Sequence, residues 1–188
     1  FRVRYDEETN QTVISGMGEL HLEIIVDRLR REFKVECNQG APQVNYKEAL
    51  TTKVSHRERL KKQTGGSGLF AEMEFELGPA DEEFLQSEDF KSGKKKLQFE
   101  WGIVGGAIDK NYQKPIVDGF NQMMSNGILA GYNIDSMKVR VVDGGMHAVD
   151  SKPIAFELCA KEGFREAAPK CKPQIMEPIM KLEIVTPV

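Results

Sequence analysis

Between Leu69 and Leu77, the apolar residues Leu69, Ala71, Met73, Phe75 and Leu77 alternate with Phe70, Glu72, Glu74 and Glu76. Alternation with period two dictates a strand with one apolar and one acidic face. Gly78-Pro79 ends it. Leu97–Trp101 alternates in the same way, and so do Met137, Val139 and Val141 against Lys138, Arg140 and Val142. Phe1–Tyr5 and Gln11–Ser15 read as strands around the turn residues Asp6–Asn10. Short strands are also expected over Lys34–Cys37, Val44–Ala49 and Ile179–Thr186.

The period changes from Glu19 to Phe33. Leu22, Ile25, Val26, Leu29 and Phe33 share one helix face, and Arg28, Arg30 and Arg31 complement the dipole at its C-terminal end. A second helix is expected with Pro115 at its first position, Ile116, Phe120, Met123 and Met124 on its apolar face, and Gly127 past its end. A third starts near Pro153 with Ser151 as its cap, carries Ile154, Leu158 and Phe164, and stops before Pro169. Asp81–Asp89 reads as an acidic loop or turn, and Lys94–Lys96 as a charged loop. The loop Asp143-Gly144-Gly145-Met146-His147 follows the strand at Met137.

The 188 residues carry 26 basic and 29 acidic side chains, for a net charge of −3. That excludes a uniformly basic coat protein but permits a local basic patch, and Lys53–Lys62 is one such stretch. No apolar run approaches the roughly 18–20 residues that span a bilayer. The 3 cysteines, Cys37, Cys159 and Cys171, are odd in number and widely spaced, which fits buried or idle thiols in a reducing compartment. His21, His56 and His147 are scattered, so no metal site is expected. Strand patterns at both ends, and a first residue that is not Met, lead to the expectation of a segment cut from a longer protein. Asn38–Pro42 and the prolines Pro173 and Pro178 mark domain boundaries within it.

Two stretches carry a family resemblance. Ile14-Ser15-Gly16-Met17-Gly18-Glu19-Leu20-His21-Leu22-Glu23 with Asp27-Arg28-Leu29 resembles the third domain of elongation factor G and related translational GTPases. Leu129-Ala130-Gly131-Tyr132, Val141-Val142-Asp143-Gly144, His147, Val149-Asp150-Ser151, Ala155-Phe156, Glu166-Ala167-Ala168 and Glu177-Pro178-Ile179-Met180 resemble the fourth domain and the start of the fifth. Tyr46-Lys47-Glu48 and Val104-Gly105-Gly106 fit between them in order. The resemblance implies an α+β chain: residues 1–40 from a ferredoxin-like third domain, residues 41–174 an elongated two-layer α/β sandwich of the ribosomal-protein type, and residues 175–188 the first strand of a fifth domain.

It further implies a cytoplasmic, monomeric factor with no membrane association. Its fourth domain would enter the small-subunit decoding region of the ribosome and contact transfer RNA and messenger RNA to promote translocation. Nucleotide hydrolysis would belong to an N-terminal domain holding GTP and Mg. This chain has no GxxxxGK[ST] loop, and neither a cofactor nor a catalytic residue is expected within it.

The residues expected at the tip of such an arm are Gly65, Gly66, Ser67, Gly68 and Leu69 in one loop and Gly144, Gly145, Met146 and His147 in the other. Glycines let main-chain N–H groups approach phosphates or 2′-hydroxyls, and such contacts ignore sequence. On the residues alone, tight hairpins and a solvated histidine are the better account; the resemblance turns His147 toward RNA contact. The first loop departs from the family pattern: Ser67 and Leu69 stand where an arginine and a glutamine are usual. That departure suggests a divergent member or paralogue whose tip binds RNA less tightly. A ribosomal protection protein of the tetracycline-resistance type is an alternative reading. A small-molecule phosphotransferase is another, but it needs a glycine loop opening onto a helix, whereas Gly65–Gly68 opens onto a strand. A pure protein–protein module is the third.

Overall fold

The computed structural model describes residues 1–6, 9–64, 67–179, 181, 182 and 184, with Gln63, Thr64 and Ser67 described in their backbone alone. The chain forms two compact units, Phe1–Asn45 with Glu177–Val188, and Tyr46–Met176.

In the smaller unit, β1 (Arg2–Asp6) and β2 (Gln11–Ser15) pair antiparallel, and α1 (Glu19–Arg31) follows. His21, Leu22, Ile25, Val26 and Leu29 are its half-buried positions, four of them on the face the periodicity marks; Phe33, expected on that face, lies past the end of the helix and is exposed. The strand expected over Lys34–Cys37 does not form. Lys34 is left-handed (φ 56°), and the segment folds back along the end of α1: Val35 N–H donates to Leu29 O at 3.1 Å and Arg30 donates to Cys37 O at 3.2 Å. Of the strand expected over Ile179–Thr186, residues 180, 183, 185 and 186 lie outside the described residues, and Ile179, Leu182 and Ile184 are exposed and not in a strand.

The larger unit is built on a sheet of β4 (Val54–Thr64), β5 (Ser67–Gly78), β6 (Leu97–Trp101) and β7 (Met137–Gly145), in the order β4-β5-β7-β6. The β4–β5 and β5–β7 pairs are antiparallel, and β6 runs parallel to β7. A parallel pair needs a crossover, and α4 (Gln113–Met124) supplies it. After β7, α5 (Pro153–Ala167) packs against β4, β5 and α4. The two layers enclose Met73, Phe75, Leu77, Ile116, Phe120, Val139, Val141, Phe156 and Phe164, all buried. The alternation in β5 puts Ala71, Met73, Phe75 and Leu77 in this core and Glu72, Glu74 and Glu76 on the opposite face.

Local departures have local causes. Asp81–Asp89 contains two short helices, α2 (Glu82–Gln86) and α3 (Glu88–Lys91); the Ser87 hydroxyl caps α3 through Phe90 N–H. The crossover helix starts ahead of Pro115, after a 3₁₀ turn at Lys110–Tyr112 whose Asn111 N–H is accepted by Asp109. In α5 the buried positions are Ala155, Phe156, Cys159, Ala160, Gly163, Phe164 and Ala167, whereas Ile154 is exposed. Its small residues let α4 and α5 approach closely.

A small second sheet pairs β3 (Lys47–Ala49) with β8 (Gln174–Met176), so residues 175 and 176, assigned in sequence to the next domain, hydrogen-bond within this unit. Glu48, in β3, is fully buried. Its carboxylate accepts the N–H groups of Ile128 (2.6 Å), Leu129 (3.0 Å), Ala130 (2.9 Å) and Tyr132 (3.3 Å). Burial pushes the carboxyl up, but the N–H donors together outweigh that and hold it below the usual carboxylate range.

All three cysteines are free thiols; Cys159 and Cys171 are buried and Cys37 is partly exposed. Burial pushes the Cys159 thiol up to about 12 and the Cys171 thiol up to about 11. Thiolate is the reactive form. An aromatic disulfide reagent should therefore modify Cys37 alone in the native chain at pH 8, and the other two only with unfolding. Fast reaction of all three without denaturant would contradict the burial. Among the described residues, no helix is long and apolar enough to cross a membrane.

Candidate nucleic-acid interface

The β4–β5 hairpin outruns the rest of the sheet. β5 pairs with β7 only as far as Glu72↔Gly145, whereas β4–β5 pairing continues through Lys62↔Leu69 to Thr64↔Ser67. The segment after β7 crosses this overhang and is stitched to it. Phe70 N–H donates to Asp150 O at 3.0 Å. The Ser151 hydroxyl donates to Phe70 O and accepts His147 N–H, both at 2.8 Å, and Ser151 N–H donates to His147 O at 3.1 Å. Tyr112 anchors the loop to the core: its hydroxyl donates to Ser151 O at 3.0 Å, and its ring stacks on Phe156 with centroids 4.4 Å apart. Ser151 is therefore a crosspiece between loops; α5 begins at Pro153 with Lys152 as its cap position and no side-chain cap bond.

The loops separated by about eighty residues in sequence thus meet at one end of the sheet. Gly65 and Gly66 lie outside the described residues. Ser67 opens β5. A Cβ on Gly68 would stand 2.7 Å from the Asp150 carboxyl carbon, so a larger residue there would displace the Asp150 side chain from the hairpin. Leu69 packs against the core, and the loop can present its backbone but not its side chain. Gly144 and Gly145 are not in a loop; they are the last residues of β7, paired with Met73 and Glu72. A Cβ on Gly144 would strike Glu72 O and stand 2.5 Å from Ile108 Cδ1, so this glycine serves close packing. Met146 and His147 do project. His147 is 62% exposed, with its ring edge-on to Phe70 at 6.1 Å and its Nδ1 3.8 Å from Asp150 Oδ2.

Sequence reasoning missed Phe70, Asp150 and Ser151 as members of this end. One signal was present: Phe70 is the single aromatic on the acidic face of its strand. The loop after β6 also reaches this end, because β6 and β7 are parallel; Val104 there is 90% exposed and is followed by left-handed Gly105 and Gly106.

Among the described residues at this end of the sheet there is no nucleophile–base pair, and the hairpin glycines open onto a strand and not onto a helix N-terminus. The arrangement offers backbone, an imidazole and an aromatic edge, which suit recognition of a sugar–phosphate surface better than bond making. Comparison with known families agrees with that architecture. The domain IV profile of elongation factor G matches residues 42–172, and the domain III profile matches residues 1–41.

The chain belongs to the elongation factor G family. Curated elongation factor G proteins from Amoebophilus asiaticus and Salinibacter ruber are 56% and 52% identical to it, over 98% and 100% of this chain. The chain spans about a quarter of their length (25% and 26%). Its fold also superposes on a crystal structure of a Thermus thermophilus protein with a TM-score of 0.70 and 31% identity, over 93% of this chain and 24% of that one.

Within this elongation factor G segment, the basic stretch Lys53–Lys62 runs into β4, and Lys53, Arg57 and Arg59 meet the acidic face of β5. Arg57 contacts Glu72 at 2.7 Å and Glu74 at 3.5 Å, and Lys53 contacts Glu76 at 2.8 Å. On the other face, His56 Nε2 lies 3.1 Å from Glu58 Oε2 and 3.9 Å from Glu166 Oε2. Among the described residues this is the one cluster whose atoms, all within 4.8 Å of one another, could hold a cation. It brings together a histidine that sequence spacing left isolated, and it lies on β4 and α5, outside the stitched loops.

Proposed function

We propose that this segment is the part of a cytoplasmic, monomeric elongation factor G whose domain IV enters the ribosomal decoding region, where the stitched loops contact transfer RNA and messenger RNA and promote translocation. The observation that carries the reading is the convergence of the β4–β5 hairpin and the Met146–Lys152 loop at one end of the sheet, with His147 exposed and its backbone clamped by Ser151. A factor that acts at every codon needs contacts that ignore base identity, and main-chain groups with an imidazole on a sugar edge provide them. GTP with Mg would belong to a nucleotide domain N-terminal to this segment, which itself works by position rather than by chemistry. Family membership sets this reading above the phosphotransferase alternative; a ribosomal protection protein would use the same end on the same RNA.

Val149 is 77% exposed on the stitched loop. An iron chelate tethered through Val149→Cys in the full-length factor, with its native cysteines unreactive or replaced, should cleave small-subunit RNA of the decoding region when bound to programmed ribosomes. Cleavage confined to the large subunit would overturn the proposed placement.

A further inference from the structure

The outer face of the β4–β5 hairpin changes charge along its length. Toward Val54 and Leu77, each carboxylate has a cation: Lys53 at 2.8 Å from Glu76, and Arg57 at 2.7 Å from Glu72 and 3.5 Å from Glu74. The acidic series stops at Glu72. Beyond it, β5 carries Phe70 and Gly68, while β4 continues with Arg59 and Lys61, registered against Glu72 and Phe70. Lys61 is exposed. Lys62, its neighbour, points to the other face and is held by Glu162 at 2.7 Å.

Arg59 pairs only loosely with the carboxylate opposite, Glu72. Its guanidinium carbon sits 5.4 Å from the Phe70 ring centroid, its Nε is 3.7 Å from Glu72, and its side chain remains 61% exposed. The shared Glu72 is already engaged by Arg57 at the shorter distance. The same Phe70 ring meets His147 on another side, at 6.1 Å. Arg59, Phe70 and His147 therefore form one row, with Lys61 beside it and Asp150 as the acid closest to the imidazole.

We propose that Arg59, braced on Phe70, is the phosphate-contacting cation of this hairpin, and that the row it forms with His147 receives the sugar–phosphate backbone of paired RNA strands. This rests on the reading of this end as RNA-facing. The physical case is preorganisation. A planar guanidinium lying on a ring loses less freedom on binding than a lysine in solvent, is more weakly hydrated, and keeps its fork free for two phosphate oxygens. The hairpin loop residues Gly65–Gly68 bring no charge, and β4 supplies the cation from the strand instead. The ring that receives Arg59 is the one aromatic on that face, at the point where the acids end.

The test measures association of the full-length factor with programmed ribosomes across a salt series. Arg59→Gln should make the slope of log affinity against log salt shallower by about 0.7–0.9, one phosphate contact. Phe70→Leu keeps the charge, so it should keep the slope and weaken binding by roughly 2–5-fold, the worth of the lost cation–π contact. Both variants should unfold at the wild-type temperature within a few degrees, which separates binding from folding. A wild-type slope and affinity for Arg59→Gln would overturn the inference. If His147→Ala still slowed translocation in that case, this inference alone would fall; if both variants were silent, the RNA-facing reading would fall with it.

Discussion

Glu48→Ala should lower the folding stability of the larger unit by about 3 kcal/mol, because four main-chain donors lose one charged acceptor and a hydrogen bond to a charged group is worth about 1.5–3 kcal/mol. The substitution removes one carboxylate and with it the shared acceptor of the N–H groups of Ile128, Leu129, Ala130 and Tyr132. Those donors belong to the loop between α4 and β7, and Glu48 N–H and O in turn bond Asn133 O and Asp135 N–H. Losing the carboxylate thus loosens the start of β7 and, through it, the centre of the sheet. Glu48→Gln keeps the volume but offers one acceptor oxygen for four donors, so it should be destabilising as well. Urea titration followed by Trp101 fluorescence at pH 7 measures both.

The pH dependence follows from the direction of the shift. The folded carboxyl sits below its unfolded value of 4.5. Its stabilising contribution is therefore complete above about pH 4.5 and is lost as pH falls through the lower folded value. The stability difference between wild type and Glu48→Ala should be constant from pH 7 to 5 and narrow below about pH 4.5. Equal urea midpoints at pH 7 would show that the carboxylate does not hold this loop.

His147→Ala in the full-length factor should slow translocation by roughly 5- to 160-fold, the rate equivalent of the 1–3 kcal/mol carried by one ring stacked on a nucleic acid. Ribosome-stimulated GTP hydrolysis should change by less than about twofold, because the proposed contact is to RNA and not to nucleotide. The fold should be unaffected: the imidazole is 62% exposed, and the bonds that organise the loop run from the His147 main chain to Ser151, which alanine retains. Rapid mixing with a fluorescent messenger RNA reports the first rate and phosphate release the second. Equal loss of both would assign His147 another role.

The comparison between sequence and structure divides along a physical line. β5, β6 and the apolar face of α1 were legible because burial on one side writes a period into the chain, and Leu22, Ile25, Val26 and Leu29 face inward as that period demands. Lys34–Cys37 misled because strand propensity counts only when a neighbour offers a ladder; here the end of α1 offered Leu29 O and the Arg30 side chain instead. Gly144 and Gly145 read as a bend, yet they are strand, because glycine marks both a turn and a place where another chain segment comes too close for a Cβ. Ser151 read as a cap because it stands before Pro153; its hydroxyl serves Phe70 and His147, partners that no local spacing could reveal.

Ordered motifs and local periodicity were enough for the family, the α+β class and the exposure of the loop that carries His147, since each of these is written in neighbouring residues. It took the packed chain to reveal that Glu48 lies buried under four N–H groups, that Arg59 rests on Phe70, and that the two loops are stitched together. Each of these depends on partners from a different element, and chain closure brings such partners together through the packing of the whole sheet.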